Sequence, residues 1–198
     1  MDPFGSSEGR RCNMTTTELF REAQNEFVEG HLKESIDLFT RAHDEGYDPV
    51  RTYLSRGVAF LKSEDYDRAI EDFNAVVTLD PDNERGYYYR GIAEMDKRDF
   101  EHALEDLDHA IALNPERGIA FFARGLTKSE LGCEEDAVSD FKAAVAYSDV
   151  ESTSFAHTFG NTRTLFDKSI ALMEGERGPL RYVLNETEIR KLEKFMEN

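Results

Sequence analysis

The sequence predicts an all-α solenoid of stacked helix pairs, on three observations. The segments LKESIDLF (32–39), YDRAIEDF (66–73), FEHALEDL (100–107) and EEDAVSDF (134–141) each begin 34 residues after the one before. Small residues recur in two columns at that interval: Ala23, Gly57, Gly91 and Gly125, each followed twelve positions later by Ser35, Ala69, Ala103 and Ala137. Turn residues punctuate the pattern, with Gly30 or Gly132 between the members of a pair and Asp80-Pro81 or Asn114-Pro115 closing a unit. A fixed period in the range of roughly 20 to 50 residues marks stacked repeats rather than one globular core.

Residues 1–13 combine Gly, Ser, Pro and two Arg without periodicity and read as a leader or tail outside the fold. The repeat pattern then covers 16–149, in four units at 16–49, 50–83, 84–117 and 118–151. Each first helix carries a large apolar residue (Leu19, Tyr53, Tyr87, Phe121) and each second helix another (Phe39, Phe73, Leu107, Phe141). Ala42, Val76, Ala110 and Ala144 form a looser third small column. Small residues let helix backbones approach and large ones fill the space beside them, so each pair buries its apolar face only against its neighbours.

The first unit departs from the others, because Asp48-Pro49 falls two positions late; its second helix or exit loop is expected to differ. After Asp149 the register fails, and 152–198 reads as a degenerate capping helix, a breaker at EGERGP (174–179) and an amphipathic helix at 185–198. That last helix has Asn185 as N-cap, Glu188 as its capping-box partner, and Ile189, Leu192 and Met196 on one face.

Composition narrows the function. The formal charge of −17, from 41 acidic against 24 basic side chains, repels a phosphate backbone and argues against nucleic acid as a partner. No run of about 18 apolar residues exists and the N-terminus lacks a secretory pattern, so no membrane association and a cytoplasmic location are expected. Cys12 and Cys133 have no spacing that suggests zinc or a disulfide framework.

No constellation for catalysis stands out. The histidines are scattered, and the face His102, Glu105, Asp106 and His109, spaced for metal ligation, is better explained by packing. The stretch Asp80 to Gly86 resembles the opening of a calcium loop, but Arg85 stands where that loop needs Gly. No enzyme activity, cofactor or metal is expected.

Two charged columns carry a structural prediction. Arg56, Arg90 and Arg124 recur just before the small first-helix residue, and Asp72, Asp106 and Asp140 just before the large second-helix residue. The first unit lacks both, with Glu22 and Leu38 at the matching places. Joint absence predicts that the columns pair across packed helices as an ion-pair ladder.

The spacing of small and large residues, repeated four times with a closing Pro, resembles the tetratricopeptide-repeat (TPR) family over 16–149. Tyr or Phe replaces that family's first Trp in three units. The resemblance implies a right-handed superhelical solenoid of four TPR helix pairs plus C-terminal capping helices, with first helices lining a concave binding side. Carried onto this sequence, that side holds Phe20, Leu54, Tyr88 and Phe122, with Gln24, Val58, Ile92 and Leu126 beside them and Tyr89 adjoining. Thr17, Arg51, Arg85 and Ile119 lie nearer the entrance. A scaffold or adaptor is therefore expected, binding a protein or peptide segment with apolar anchors and an acidic group. Phe20 and Gln24 replace a clamp Lys and Asn, which argues against recognition of acidic chaperone tails. The alternative is self-association as a homodimer, with the C-terminal helix filling the groove or the interface.

Overall fold

The computed structural model describes residues 14–159, which hold eight helices and no strand. The leader expected at 1–13, and the breaker and terminal helix expected beyond residue 173, lie outside the described residues. The chain divides into two compact units, Met1–Lys97 and Arg98–Asn198. No helix among the described residues is long and apolar enough to cross a membrane.

The first unit contains α1 (Thr16–Glu29), α2 (Leu32–Asp44), α3 (Pro49–Lys62), α4 (Tyr66–Leu79) and α5 (Glu84–Asp96). Each packs on the next, and α3 also touches α1 and α5, as first helices of successive pairs do in a stacked repeat. Thr15 opens α1 through a capping box: its hydroxyl accepts from the Glu18 N–H at 3.3 Å while Glu18 accepts from the Thr15 N–H at 2.8 Å. Asp48 caps α3 with Pro49 in the first turn, which accounts for the late Asp-Pro of the first repeat. The exit from α2 instead turns through Gly46, whose φ of +89° suits glycine.

Side-chain size sets the helix spacing. In repeat two a Cβ added at Gly57 would lie 2.6 Å from Phe73 Cε1, so helix and ring touch only because the position is glycine. Gly86 meets Val76 and Val77 of α4 in the same way, at 2.8 and 2.9 Å. Two clusters result. Leu19, Phe20, Ala23, Phe39 and Ala42 fill the first helix pair, and Phe60, Ala69, Phe73 and Ala93 join α3, α4 and α5. In the first pair Ser35 replaces alanine and donates its hydroxyl to the Ala23 carbonyl at 2.8 Å, which satisfies it in the buried interface.

The second unit contains α6 (Phe100–Leu113), α7 (Gly118–Glu130) and α8 (Glu134–Phe159), again packed in sequence. Gly125 repeats the Gly57 contact, with Phe141 Cε1 2.6 Å from an added Cβ. Here α8 runs through residues 151 and 152, where the sequence placed a unit boundary. Asp149 occupies the position of Pro81 and Pro115, so nothing removes the backbone donor and stops the helix.

The turns between paired helices fall in one column: Gly30 (φ +87°), Glu64 (φ +62°), Arg98 (φ +62°) and Gly132 (φ +79°). The two glycines have open space around them, so the left-handed backbone alone calls for glycine there. Glu64 and Arg98 adopt the same conformation with a Cβ, which costs roughly 1–2 kcal/mol each. Glu64→Gly and Arg98→Gly are each expected to raise stability by about 0.5 kcal/mol after the unfolded-state entropy of glycine is subtracted. Gly132→Ala is expected to lower it by about 1 kcal/mol. Urea midpoints of the three variants check both signs.

Candidate protein-interaction site

The expected first-helix columns lie partly in each unit. In the first unit Phe20 is stacked on Tyr47, with ring centroids 4.4 Å apart and planes 20° from parallel. The Arg51 guanidinium lies over both rings, 5.5 Å from Phe20 and 5.9 Å from Tyr47. Arg51 is exposed and has no carboxylate within ion-pair distance among the described residues. Arg85 is also exposed, with Glu84 at 3.9 Å its nearest acid. Gln24 is exposed, whereas Leu54, Val58 and Tyr89 are half-buried against the Phe60–Phe73 cluster. Tyr89 stacks on Phe73 at 5.8 Å and meets Tyr88 edge-on at 5.1 Å.

Five expected groove residues are buried: Phe20 at 4%, Tyr88 at 2%, Ile92 at 1%, Phe122 at 9% and Leu126 at 8% of full exposure. In the second unit Phe122 packs on Phe141 at 5.6 Å, and Ile119 is half-buried. The surface open to a partner is therefore more polar than the sequence suggested. Tyr47 was not foreseen as part of this surface, because it stands where later repeats have their closing proline.

The ion-pair ladder has a second function that the two columns did not reveal. Arg56 grips Asp72 through Nε and Nη2 at 2.8 and 2.7 Å, and its Nη1 donates to Thr40 Oγ1 of the preceding repeat at 3.1 Å. Arg124 grips Asp140 at 2.8 and 2.6 Å and reaches back to Asp108 at 2.6 Å. Arg90 reaches back to Asn74 at 2.7 Å. Asp106 is buried in the second unit. Each arginine of this column thus ties its helix to the second helix of the repeat before it, and Arg56 and Arg124 also grip the second helix of their own. The guanidinium lies against an aromatic ring three residues earlier, 5.5 Å from Tyr53 and Tyr87 and 5.3 Å from Phe121.

The charge at Asp140 has a pH signature. Burial acts to raise its carboxyl pKa, but hydrogen bonds from Arg124 and Lys128 outweigh burial and hold it below the usual carboxylate range. Its stabilisation is complete above the unfolded value near ~3.9 and is lost as pH falls through the lower folded value. Asp140→Asn is expected to be less stable than wild type at about pH 6, with the gap closing towards about pH 3. Denaturant unfolding of both proteins across that range measures the difference.

Among the described residues the potential metal ligands that converge are Glu26, Glu29 and His31, with donor atoms within 4.8 Å of one another. They sit at the α1–α2 turn, where His31 Nδ1 meets Glu26 Oε2 at 2.7 Å. That hydrogen bond, helped by the charges of Glu26, Glu29 and Glu34, holds the imidazolium above its ordinary range. His102 instead bonds Asp99 at 2.8 Å.

Helix pairs repeated at one interval, locked by a recurring arginine and faced by variable first-helix side chains, define a helical-repeat interaction scaffold. Residues 50–83 and 84–117 each match a family model described as tetratricopeptide repeat, and these two helix pairs are tetratricopeptide repeats.

Solved structures share the fold. MamA is 18% identical with a TM-score of 0.63, over 70% of this chain and 81% of that one. A MamA fragment from Desulfovibrio magneticus RS-1 is 19% identical with a TM-score of 0.64, over 68% and 76%. YrrB, described as a TPR protein with an unusual peptide-binding site, is 19% identical with a TM-score of 0.60, over 67% and 68%. No curated protein matches the sequence.

Proposed function

We propose that this protein is a non-enzymatic adaptor whose first-helix face binds an extended or helical segment of another protein, anchored by an apolar side chain and steered by an acidic one. The observation that carries this reading is Arg51. In a chain with 41 acidic side chains, its guanidinium lies over two stacked rings and meets no carboxylate among the described residues. An aromatic platform beneath an uncommitted guanidinium suits a carboxylate beside an apolar group, since the ring supports the cation while its donors stay free. Arg85 repeats the position one unit on, and Gln24, Leu54 and Val58 supply adjoining polar and apolar contact. The peptide-binding site described for YrrB makes such a role natural for this fold.

The test is binding to a partner recovered by affinity capture from the native host. Arg51→Glu/Arg85→Glu is expected to weaken the interaction at least tenfold, a loss of about 1.4 kcal/mol or more, with an unchanged melting temperature. Binding unchanged by the double reversal overturns the proposal.

A further inference from the structure

We infer that the first helix pair, α1–α2, is a latched arm that opens as one unit from α3, and that Thr40 is its latch. Three observations converge. The backward contact of the arginine column grows stronger along the chain: a neutral hydroxyl at Thr40 (3.1 Å), an amide at Asn74 (2.7 Å) and a carboxylate at Asp108 (2.6 Å). Hydrogen bonds to an ionised acceptor are shorter and stronger than those to a neutral one, so the arginine's own tie from α3 back to α2 is the weakest of the three. Thr40 also gives its only proton to the Ile36 carbonyl at 2.8 Å, so it meets Arg56 purely as an acceptor.

The arm also has its own core. Leu19, Phe20, Ala23, Phe39 and Ala42 form a cluster within α1 and α2, closed by Met14, Leu38 and Tyr47. Its interior is therefore its own, while across the joint Ile36 packs on the Phe60–Phe73 cluster and Arg51 lies over Phe20 and Tyr47, contacts that opening gives up. Finally, repeat one has no arginine–aspartate grip of its own, having Glu22 and Leu38 in those columns, and its exit loop places Gly46 (φ +89°) between α2 and Pro49, where Pro81 and Pro115 follow their second helices directly. A glycine turn yields more readily than a proline-braced one. Opening would free the α3 face that carries Tyr53 and Arg56, whose present neighbours across the joint are His43 and Thr40.

Hydrogen exchange of the full chain, read by mass spectrometry under conditions where exchange reports opening equilibria, tests this. Amides of α1 and α2 are expected to share one opening step and to exchange at least tenfold faster than the buried amides of α4. Thr40→Asp reproduces the Asp108 contact and is expected to slow exchange of α1–α2 about threefold, with α6–α7 unchanged. Its gain is held to that size by Asp37 and Asp44 on the same helix face. Thr40→Val removes the acceptor and is expected to speed α1–α2 exchange about threefold. Equal protection of α1–α2 and α4 overturns the inference, as does any pair of variants that shifts both regions together or neither.

Discussion

Gly57→Val is expected to destabilise the protein by about 3 kcal/mol, the upper end of the usual cost of overpacking a filled core. An added Cβ at this position sits 2.6 Å from Phe73 Cε1 and 3.0 Å from Cδ1 and Cζ. Phe73 is fully buried between α3, α4 and α5, so its ring cannot swing into solvent. Either the ring leaves its rotamer or α3 lifts from α4. Gly57→Ala is expected to cost about 1–2 kcal/mol, because better helix propensity offsets about 1 kcal/mol of the clash. Repeat one already holds Ala23 in this column opposite Phe39, which shows that the fold can be tuned to a methyl group where the partner helix is set for it. Chemical denaturation followed by far-ultraviolet circular dichroism measures both variants.

The second large effect concerns the ladder. Asp72→Ala is expected to cost about 3 kcal/mol, well above the 0–1 kcal/mol of an exposed ion pair. The Arg56 and Asp72 side chains are only 16% and 6% exposed, so truncation strands a guanidinium in a largely dry interface. The remaining contact to Thr40 satisfies one of its donors. The penalty belongs to the orphaned charge rather than to the pair's net worth, and that distinction is testable. The double variant Arg56→Met/Asp72→Leu is expected to recover stability to within about 1 kcal/mol of wild type, as apolar replacement of buried pairs commonly does. A cost below about 0.5 kcal/mol for Asp72→Ala alone would show that the ladder does not support the fold.

The period and the helix pairs were legible because packing repeats itself in sequence: a small residue faces a large one where paired helices touch, so Gly57 with Phe73 and Gly125 with Phe141 share one spacing. The ion pairs were legible through their joint absence from repeat one. The backward contact was not, since Thr40, Asn74 and Asp108 share no residue type, only the ability to accept a hydrogen bond. A search for acceptors in register with each arginine would have found it. Glu64 and Arg98 were missed for the opposite reason, because their backbone is set by the column of Gly30 and Gly132 and not by their own preference. The length of α8 was written in Asp149, a missing proline rather than a present signal.

The binding surface was the least legible feature. An apolar residue in a first-helix column looks the same in sequence whether it awaits a ligand or is covered, and Tyr88 and Ile92 proved to be covered while Gln24, Arg51 and Arg85 are exposed. Charge gave more information than apolarity, because an exposed arginine without a carboxylate among the described residues stands out in an acidic chain.

The central claim is that partners bind the first-helix face. The most direct measurement places a photo-crosslinking amino acid at Gln24, Arg51 or Arg85, and separately at Asp37, Glu71 or Glu105, an exposed second-helix column. Each full-length variant is then irradiated in native host extract. Adducts to one common protein from the first set, absent from the second, are the result predicted here; adducts from the second set alone would contradict it.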